Sequence, residues 1–175
     1  MFVTIAVIVL VVIGIILALA ASKPNEFTVQ RTTHIATSPE RIFPHLVDFR
    51  RWGAWSPWEQ MDPAMRKTYS GAATGTGSVY EWQGNSKVGQ GRMEMTEVTP
   101  PSTLTVKLDF LKPFEAHNTA AFTLVPGGDG TDVTWKMYGP SPFVTKVMGV
   151  FFNMDKMIGK DFERGLASLK SVAEG

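Results

Sequence analysis

The chain opens with an uninterrupted apolar segment, which limits what the rest of the protein can be. From Phe2 to Ala21 every residue is Phe, Val, Thr, Ile, Ala, Leu or Gly, and none is charged. An α-helix of this length rises about 30 Å, the thickness of the hydrocarbon core of a bilayer. The sequence therefore predicts a membrane-associated protein in which residues 1–22 form a separate segment and residues 23–175 form one folded domain.

Two interpretations of the Phe2–Ala21 segment remain open at this point. A single-pass anchor fits its length and the basic residue, Lys23, that follows it. A cleaved secretion signal fits the small residues of Ala18–Ser22, but such signals carry a basic start and a shorter apolar core of about 7–15 residues. We favour the anchor. Because Lys23, Arg31 and Arg41 follow the segment, the positive-inside rule favours a cytoplasmic domain, although a translocated domain can override that rule.

Charge balance and the absence of cysteine exclude several functions. The 17 basic and 16 acidic residues nearly cancel, and no basic stripe of the kind that binds phosphates is visible, so we expect no nucleic-acid partner. Without cysteine there is no disulfide, thiolate metal site or thiol nucleophile. The histidines, His34, His45 and His117, do not have metal-ligand spacing. We therefore predict neither a metal site nor a cofactor.

Sequence periodicity predicts an α+β domain. The segment Phe27–Ile35 alternates as a strand does, and Ser38–Glu40 then has the residues that begin a helix. Between residues 65 and 138, six further strands are separated by turns rich in Gly, Pro and Asn. From Ser141 to Val172 apolar residues recur at helical spacing, which predicts a single C-terminal helix of about 30 residues. Its charged residues are predicted to form a solvated face; they are Lys146, Lys156, Lys160, Arg164 and Lys170.

This order of elements resembles the helix-grip fold of the START-like (SRPBCC) superfamily, over roughly Asn25 to Ala173. Local sequences similar to its bacterial polyketide cyclase/dehydratase-like branch are Ser38–Phe43, Trp52–Trp58, Gly75–Trp82 and Gly130–Trp135. The resemblance implies a curved antiparallel sheet of about seven strands around a long C-terminal helix, preceded by a single hydrophobic N-terminal helix. It also implies an elongated cavity between sheet and helix that holds a hydrophobic ligand.

Several apolar side chains are candidates for the wall of that cavity. Methionine and aromatic residues give an adaptable interior that accepts more than one apolar ligand. Each of them could equally be an ordinary core residue, because such side chains are commonly buried. The candidates are Tyr80, Trp82, Met93, Met95, Trp135, Met137, Phe151 and Met154.

Three tryptophans, Trp52, Trp55 and Trp58, lie three residues apart in a loop that contains Pro and Gly. They could form the rim of a pocket or a belt at a membrane interface, where tryptophan is favoured. We favour a third interpretation, in which they pack the loop onto the end of the sheet as a hydrophobic plug, because tryptophan is usually well buried.

Catalysis would need a titratable side chain that faces the cavity. Strand parity places Glu81 and Asp109 on the faces opposite to their apolar neighbours, toward solvent. Glu115 and His117 share a face, where the carboxylate could orient the imidazole, but this face is not the apolar one. We therefore assign no catalytic residue and keep His117 and Tyr138 as weak candidates.

Three functions follow from these expectations. The leading hypothesis is a membrane-tethered protein that binds a lipid or other hydrophobic small molecule without converting it. The alternatives are a cyclase- or dehydratase-like enzyme acting on an apolar or aromatic substrate, and a partner-binding module with no ligand. A desolvated carboxylate or imidazole facing the cavity would favour the enzyme, whereas a wholly apolar cavity would favour binding. A collapsed cavity beneath an exposed tryptophan loop would favour the partner module.

Overall fold

A computed structural model describes residues 2–175 of the chain. The helices are α1 (Phe2–Ala21), α2 (Pro39–Val47), a 3₁₀ helix (Phe49–Ala54), α3 (Pro57–Met61), α4 (Phe143–Phe151) and α5 (Met154–Glu174). The strands are β1 (Glu26–Ile35), β2 (Arg66–Gly71), β3 (Ser78–Gln83), β4 (Gln90–Thr99), β5 (Thr103–Lys112), β6 (Ala116–Gly127) and β7 (Gly130–Pro140).

All seven strands form one antiparallel sheet in the order β1-β7-β6-β5-β4-β3-β2. Strands that follow one another from β2 to β7 are neighbours, and the last of them returns to pair with β1. The register places Tyr80 opposite Met93 and Met93 opposite Leu108, so these side chains stand side by side on one face. The predicted α+β helix-grip architecture is confirmed.

The core lies between this face of the sheet and α5. Phe162, Leu166 and Leu169 of α5 are fully buried, and they share one side of the helix because they recur at three- and four-residue intervals. Burial of each such side chain contributes about 1.5–3 kcal/mol. On the sheet, Trp135 stacks on Phe162 with ring centroids 4.1 Å apart.

Polar contacts tie α5 to β1 at the edge of the sheet. The guanidinium of Arg31 donates to Glu163 at 2.7 Å and to Asp155 at 3.0 Å. It lies so close to Gly159 that a Cβ there would displace the guanidinium, so this glycine leaves room for Arg31 to reach both carboxylates. Further along, Lys170 Nζ donates to the carbonyl of His34 at 2.9 Å.

The prediction of a single C-terminal helix of about 30 residues was wrong, because the helix is broken between Phe151 and Met154. At the break Phe152 is extended, and the side chain of Asn153 accepts a hydrogen bond from the backbone N–H of Lys156 at 3.0 Å. This contact satisfies one of the free N–H groups at the start of α5. Apolar periodicity continued across the break and concealed it.

The short helix α4 packs against α1 instead of the sheet. Lys146 of α4 was predicted to be solvated, and this prediction was wrong: the residue is buried and its Nζ donates to Asn25 Oδ1 at 2.6 Å. Gly149 lies next to the side chain of Lys23, directly after α1. On α1 itself nearly every side chain is exposed, with Ala20 the fully buried exception.

The plug interpretation of the tryptophan loop is confirmed for Trp52 and Trp55. Trp55 is completely buried, Trp52 is nearly so, and Trp58 is half-buried. The indole N–H groups of Trp52 and Trp55 donate to the carbonyls of Leu46 and His45, at 2.9 and 3.0 Å, which closes the loop onto the end of α2. Their rings pack edge-on against Phe122 of the sheet.

Candidate functional site

A cavity of about 490 Å³ lies between the sheet and α5, within the ~300–1,000 Å³ typical of small-molecule pockets. Most of its wall is apolar. We call its buried lining residues the inner wall; they include Trp52, Ser56, Glu59, Tyr80, Ala120 and Trp135. We call its exposed lining residues the mouth; they include Lys87, Lys112, Pro113, Phe114, Pro140 and Pro142.

Six of the eight side chains predicted for the cavity line it, namely Tyr80, Trp82, Met93, Trp135, Met137 and Met154. Met95 does not; it is fully buried in the core opposite Val106 of β5. Phe151 does not either, because the break after α4 carries it away from the sheet and leaves it 63% exposed. Trp82 fits into the wall because its ring lies over Gly91, where any Cβ would collide.

The inner wall contains a buried carboxylate that the sequence analysis did not identify. Glu59 of α3 is only 8% exposed and accepts a hydrogen bond from the Tyr80 hydroxyl at 2.6 Å through Oε1. Its Oε2 accepts from Lys67 of β2, which approaches from the solvent side. The available signal was that Glu59 is the only acidic residue of the aromatic segment between Phe49 and Met61.

Tyr80 lies in a stack of aromatic rings that removes its hydroxyl from water. Its ring centroid is 5.3 Å from that of Tyr69, 5.8 Å from Phe49 and 6.0 Å from Trp82. Burial raises the pKa of Tyr80 far above its ordinary value, and the hydrogen bond to Glu59 raises it further. The Tyr80 hydroxyl therefore keeps its proton at neutral pH and donates a hydrogen bond to Glu59.

The predicted imidazole pair lies at the edge of the cavity, on the outer face of the sheet. His117 Nδ1 is 2.7 Å from Asp109 Oδ1, and His117 Nε2 is 3.3 Å from Glu115 Oε1. The hydrogen bond with Asp109 raises the pKa of His117, and the charge of Glu115 adds to this effect. Burial acts to raise the pKa of Asp109, but the contacts with His117 and Lys107 lower it overall.

Neither weak catalytic candidate belongs to the inner wall. His117 borders the cavity but is largely exposed, and Tyr138 points to the outer face, where its ring lies under Lys136 Nζ at 5.1 Å. Between residues 2 and 175, no group of three His, Cys, Asp or Glu side chains is arranged to hold a metal ion.

Residues 26–174 match the family model described as "Polyketide cyclase / dehydrase and lipid transport". The chain belongs to this family. No curated protein matches it. The description of this family names both cyclase or dehydrase enzymes and lipid transport.

Solved structures share the fold at low sequence identity. The di-domain ARO/CYC StfQ from the steffimycin biosynthetic pathway is 13% identical with a TM-score of 0.63, over 85% of this chain and 51% of that one. The KanY protein is 19% identical with a TM-score of 0.62, over 87% and 100%. Protein CV1439 from Chromobacterium violaceum is 15% identical with a TM-score of 0.60, over 87% and 99%. Such identities indicate a common fold alone.

Proposed function

We propose that this protein binds a lipid or another hydrophobic small molecule in the cavity between the sheet and α5 while it is tethered to a membrane by residues 1–22. The observation that carries the proposal is an apolar cavity with a mouth that opens beside α4, the helix packed on α1. Pro142 precedes α4 and Thr145 lies within it, and both line the cavity.

The exposed surface of α4 supports membrane contact at the mouth. Large apolar side chains on α4 and directly after it are exposed; they are Phe143, Val144, Met148, Phe151 and Phe152. Phe114, which also belongs to the mouth, is 76% exposed. Exposed apolar patches of this kind are typical of protein or membrane contacts. Because α4 packs on α1, insertion of α1 into a bilayer would bring this surface to the interface.

Within the described residues, α1 is the one helix long and apolar enough to span a membrane. Its length and composition are also those of a secretion signal near the N-terminus. The contact between α4 and the end of α1 supports an anchor, because it joins α1 to the folded domain. With the basic residues after α1, we place the domain on the cytoplasmic side.

A tether helps such a protein because its ligand is concentrated in the same membrane. A hydrophobic molecule that leaves the bilayer next to the mouth meets the cavity at a high effective concentration. The protein itself stays at the surface that supplies the ligand.

Ligand binding can be tested by placing a larger side chain in the wall of the cavity. We expect the full-length chain to co-purify with an apolar small molecule that mass spectrometry detects after solvent extraction. Ala120 is a buried residue of the inner wall, so Ala120→Leu should reduce the recovered ligand at least about fivefold, because the added side chain occupies the cavity. The neighbouring Ala121→Leu is the control. Equal recovery from all three proteins would refute the proposal.

Contact of α4 with the membrane can be tested separately. The chain has no cysteine, so a single Met148→Cys accepts one environment-sensitive fluorophore. In nanodiscs, spin-labelled lipid should quench this probe strongly, but should hardly quench a probe at Val125→Cys, which is exposed on β6. Equal quenching at the two positions would contradict the proposed orientation.

A second function, a cyclase- or dehydratase-like enzyme, is favoured by one observation. Glu59 is a desolvated carboxylate on the inner wall and is hydrogen-bonded to Tyr80. A buried carboxylate of this kind can act as a general base when a substrate proton comes within about 3 Å of it. The molecule recovered from the protein can be incubated with wild type and with Glu59→Gln. A change in the mass of that molecule with wild type, but not with Glu59→Gln, would support the enzyme.

A further inference from the structure

The polar groups of the inner wall suggest which part of a ligand they contact. Most of the wall is apolar, but the hydrogen-bonded pair Glu59 and Tyr80 forms a polar patch on it, and both residues are at least nine-tenths buried. Ser56, three residues before Glu59, is a third buried polar residue of the same wall. A buried polar group that gains no partner costs about 1–3 kcal/mol. A ligand with no polar atom would displace water from this patch. The free hydrogen-bond acceptors of the patch would then have no partner.

The hydrogen bonds already present determine what this patch can accept. The hydroxyl of Tyr80 has one proton, which it donates to Glu59 Oε1. The carboxylate of Glu59 has no proton to donate and already accepts from Tyr80 and Lys67. Each carboxylate oxygen and the tyrosine oxygen still has a free lone pair. The patch is therefore an acceptor without an unused donor.

The charge of the patch adds a second restriction. Glu59 is paired with Lys67, so the group is close to neutral. A carboxylate or phosphate head would be buried here with no net positive charge to balance it and with no unused donor from Glu59 or Tyr80. A neutral hydroxyl satisfies both restrictions, because it donates one hydrogen bond and introduces no charge.

We infer that Glu59 and Tyr80 hold the hydroxyl group of an otherwise apolar ligand, with the apolar body of the ligand against the aromatic and methionine side chains of the cavity. The ligand class is a hydrophobic alcohol or phenol. This inference rests on the proposed function, since it names the chemistry that the same cavity recognises. In it, Glu59 is the principal acceptor, and Tyr80 positions Glu59 and shares in the contact.

Three probes with the same ring system separate the possible head groups. We would measure the binding of 2-naphthol, 2-methoxynaphthalene and 2-naphthoic acid to the full-length chain in nanodiscs, by equilibrium dialysis against empty nanodiscs. The methyl ether lacks the donor, and the acid carries a charge. We expect 2-naphthol to bind about tenfold more tightly than either analogue, as one hydrogen bond to a charged acceptor allows.

Two substitutions test whether the patch causes this preference. In Glu59→Gln the side-chain amide offers a donor in place of a carboxylate oxygen, so the preference for 2-naphthol should fall to about twofold or less. The control is Glu81→Gln, the same change on the exposed face of β3. Tyr80→Phe keeps the ring and should reduce the preference by a smaller factor, with Tyr69→Phe as its control. If Glu59→Gln does not fold, Tyr80→Phe still tests whether the patch causes the preference for 2-naphthol.

The outcomes distinguish this inference from the proposed function. If all three probes bind equally well, or if the acid binds best, the acceptor patch does not select the ligand and the inference is overturned, while hydrophobic binding stands. If 2-naphthol is preferred equally by wild type and Glu59→Gln, the inference is also overturned. If none of the probes binds and wild type yields no co-purifying molecule, the proposed function itself fails.

Discussion

Two helices that are neighbours in sequence, α4 and α5, use their apolar side chains in opposite ways. In α5 the apolar residues face the sheet, and Phe162, Leu166 and Leu169 are fully buried. In α4 most of the large apolar residues are exposed, while the one residue buried within the helix is Lys146. The two helices are separated by only two residues, Phe152 and Asn153.

This contrast shows that a helical apolar pattern does not specify what covers the apolar face. The side chains of α5 are covered by protein, and ion pairs between Arg31 and two acidic residues hold that helix on β1. Helix α4 packs on the apolar helix α1, and most of its large apolar side chains are exposed. We interpret α5 as part of the core and α4 as part of a membrane-facing surface.

The largest expected difference between the two helices is in stability. We expect Phe162→Ala to lower the free energy of unfolding by about 3–5 kcal/mol, because it removes a buried ring and leaves a cavity. The same change at the exposed Phe151 should cost about 0.5 kcal/mol or less. Urea unfolding of the full-length chain in nanodiscs, followed by tryptophan fluorescence, measures both. A large loss for Phe151→Ala would show that α4 packs as a core helix.

A smaller effect is expected where α4 is attached. Lys146→Met keeps the apolar stem of the side chain but removes the donor to Asn25. A hydrogen bond to a charged group contributes about 1.5–3 kcal/mol, so amide hydrogen exchange in α4 should accelerate about tenfold or more. Lys156→Met, at an exposed position of α5, is the control. Unchanged exchange in α4 would mean that its contact with α1 alone holds it in place.

The smallest effect is a pH dependence confined to the edge of the sheet under the end of α5. Hydrogen bonds with Asp132 and, next, Asp129 raise the pKa of His34. Its contribution to stability is therefore complete below about pH 6.5 and is lost as the pH rises through the raised value. Exchange protection of residues 131–134 should fall over this range, while that of α4 stays constant.

The pKa of His45 is shifted in the opposite direction to that of His34, so His45 is an internal reference. Burial, and then the charge of Arg51, lower the pKa of His45, so its protonation opposes folding at acid pH. An NMR titration of the histidine rings should place His34 above and His45 below the ordinary value of about 6.5. His34→Gln and His45→Gln assign the two signals. A reversed order would contradict the contacts described for His34.

Much of the fold was predictable because its signals are local. Alternation and turn residues identified the strand that begins near Phe27 and the six further strands, and all seven are observed. Strand parity placed Tyr80 and Trp82 on the inner face and Glu81 outside, because the side-chain period of a strand is fixed. The break between α4 and α5 was not predictable from periodicity, since apolar residues continue across it and an asparagine is a modest signal on its own.

The site was predicted only in part. Tyr80 was identified as a cavity residue from its strand, whereas Glu59, its partner, was not, because the two lie 21 positions apart and meet through packing of α3 on the sheet. The same reason explains Lys146, whose charge suggested solvent until Asn25, distant in sequence, was found within hydrogen-bond reach.

The sequence alone determined the apolar N-terminal helix, the antiparallel strands and which face of each strand is apolar, because these properties depend on neighbouring residues along the chain. Only the tertiary structure decided where the C-terminal helix is interrupted, which carboxylate lines the cavity and which apolar side chains stay exposed. Those features depend on contacts between residues far apart in sequence, and no local pattern encodes such contacts.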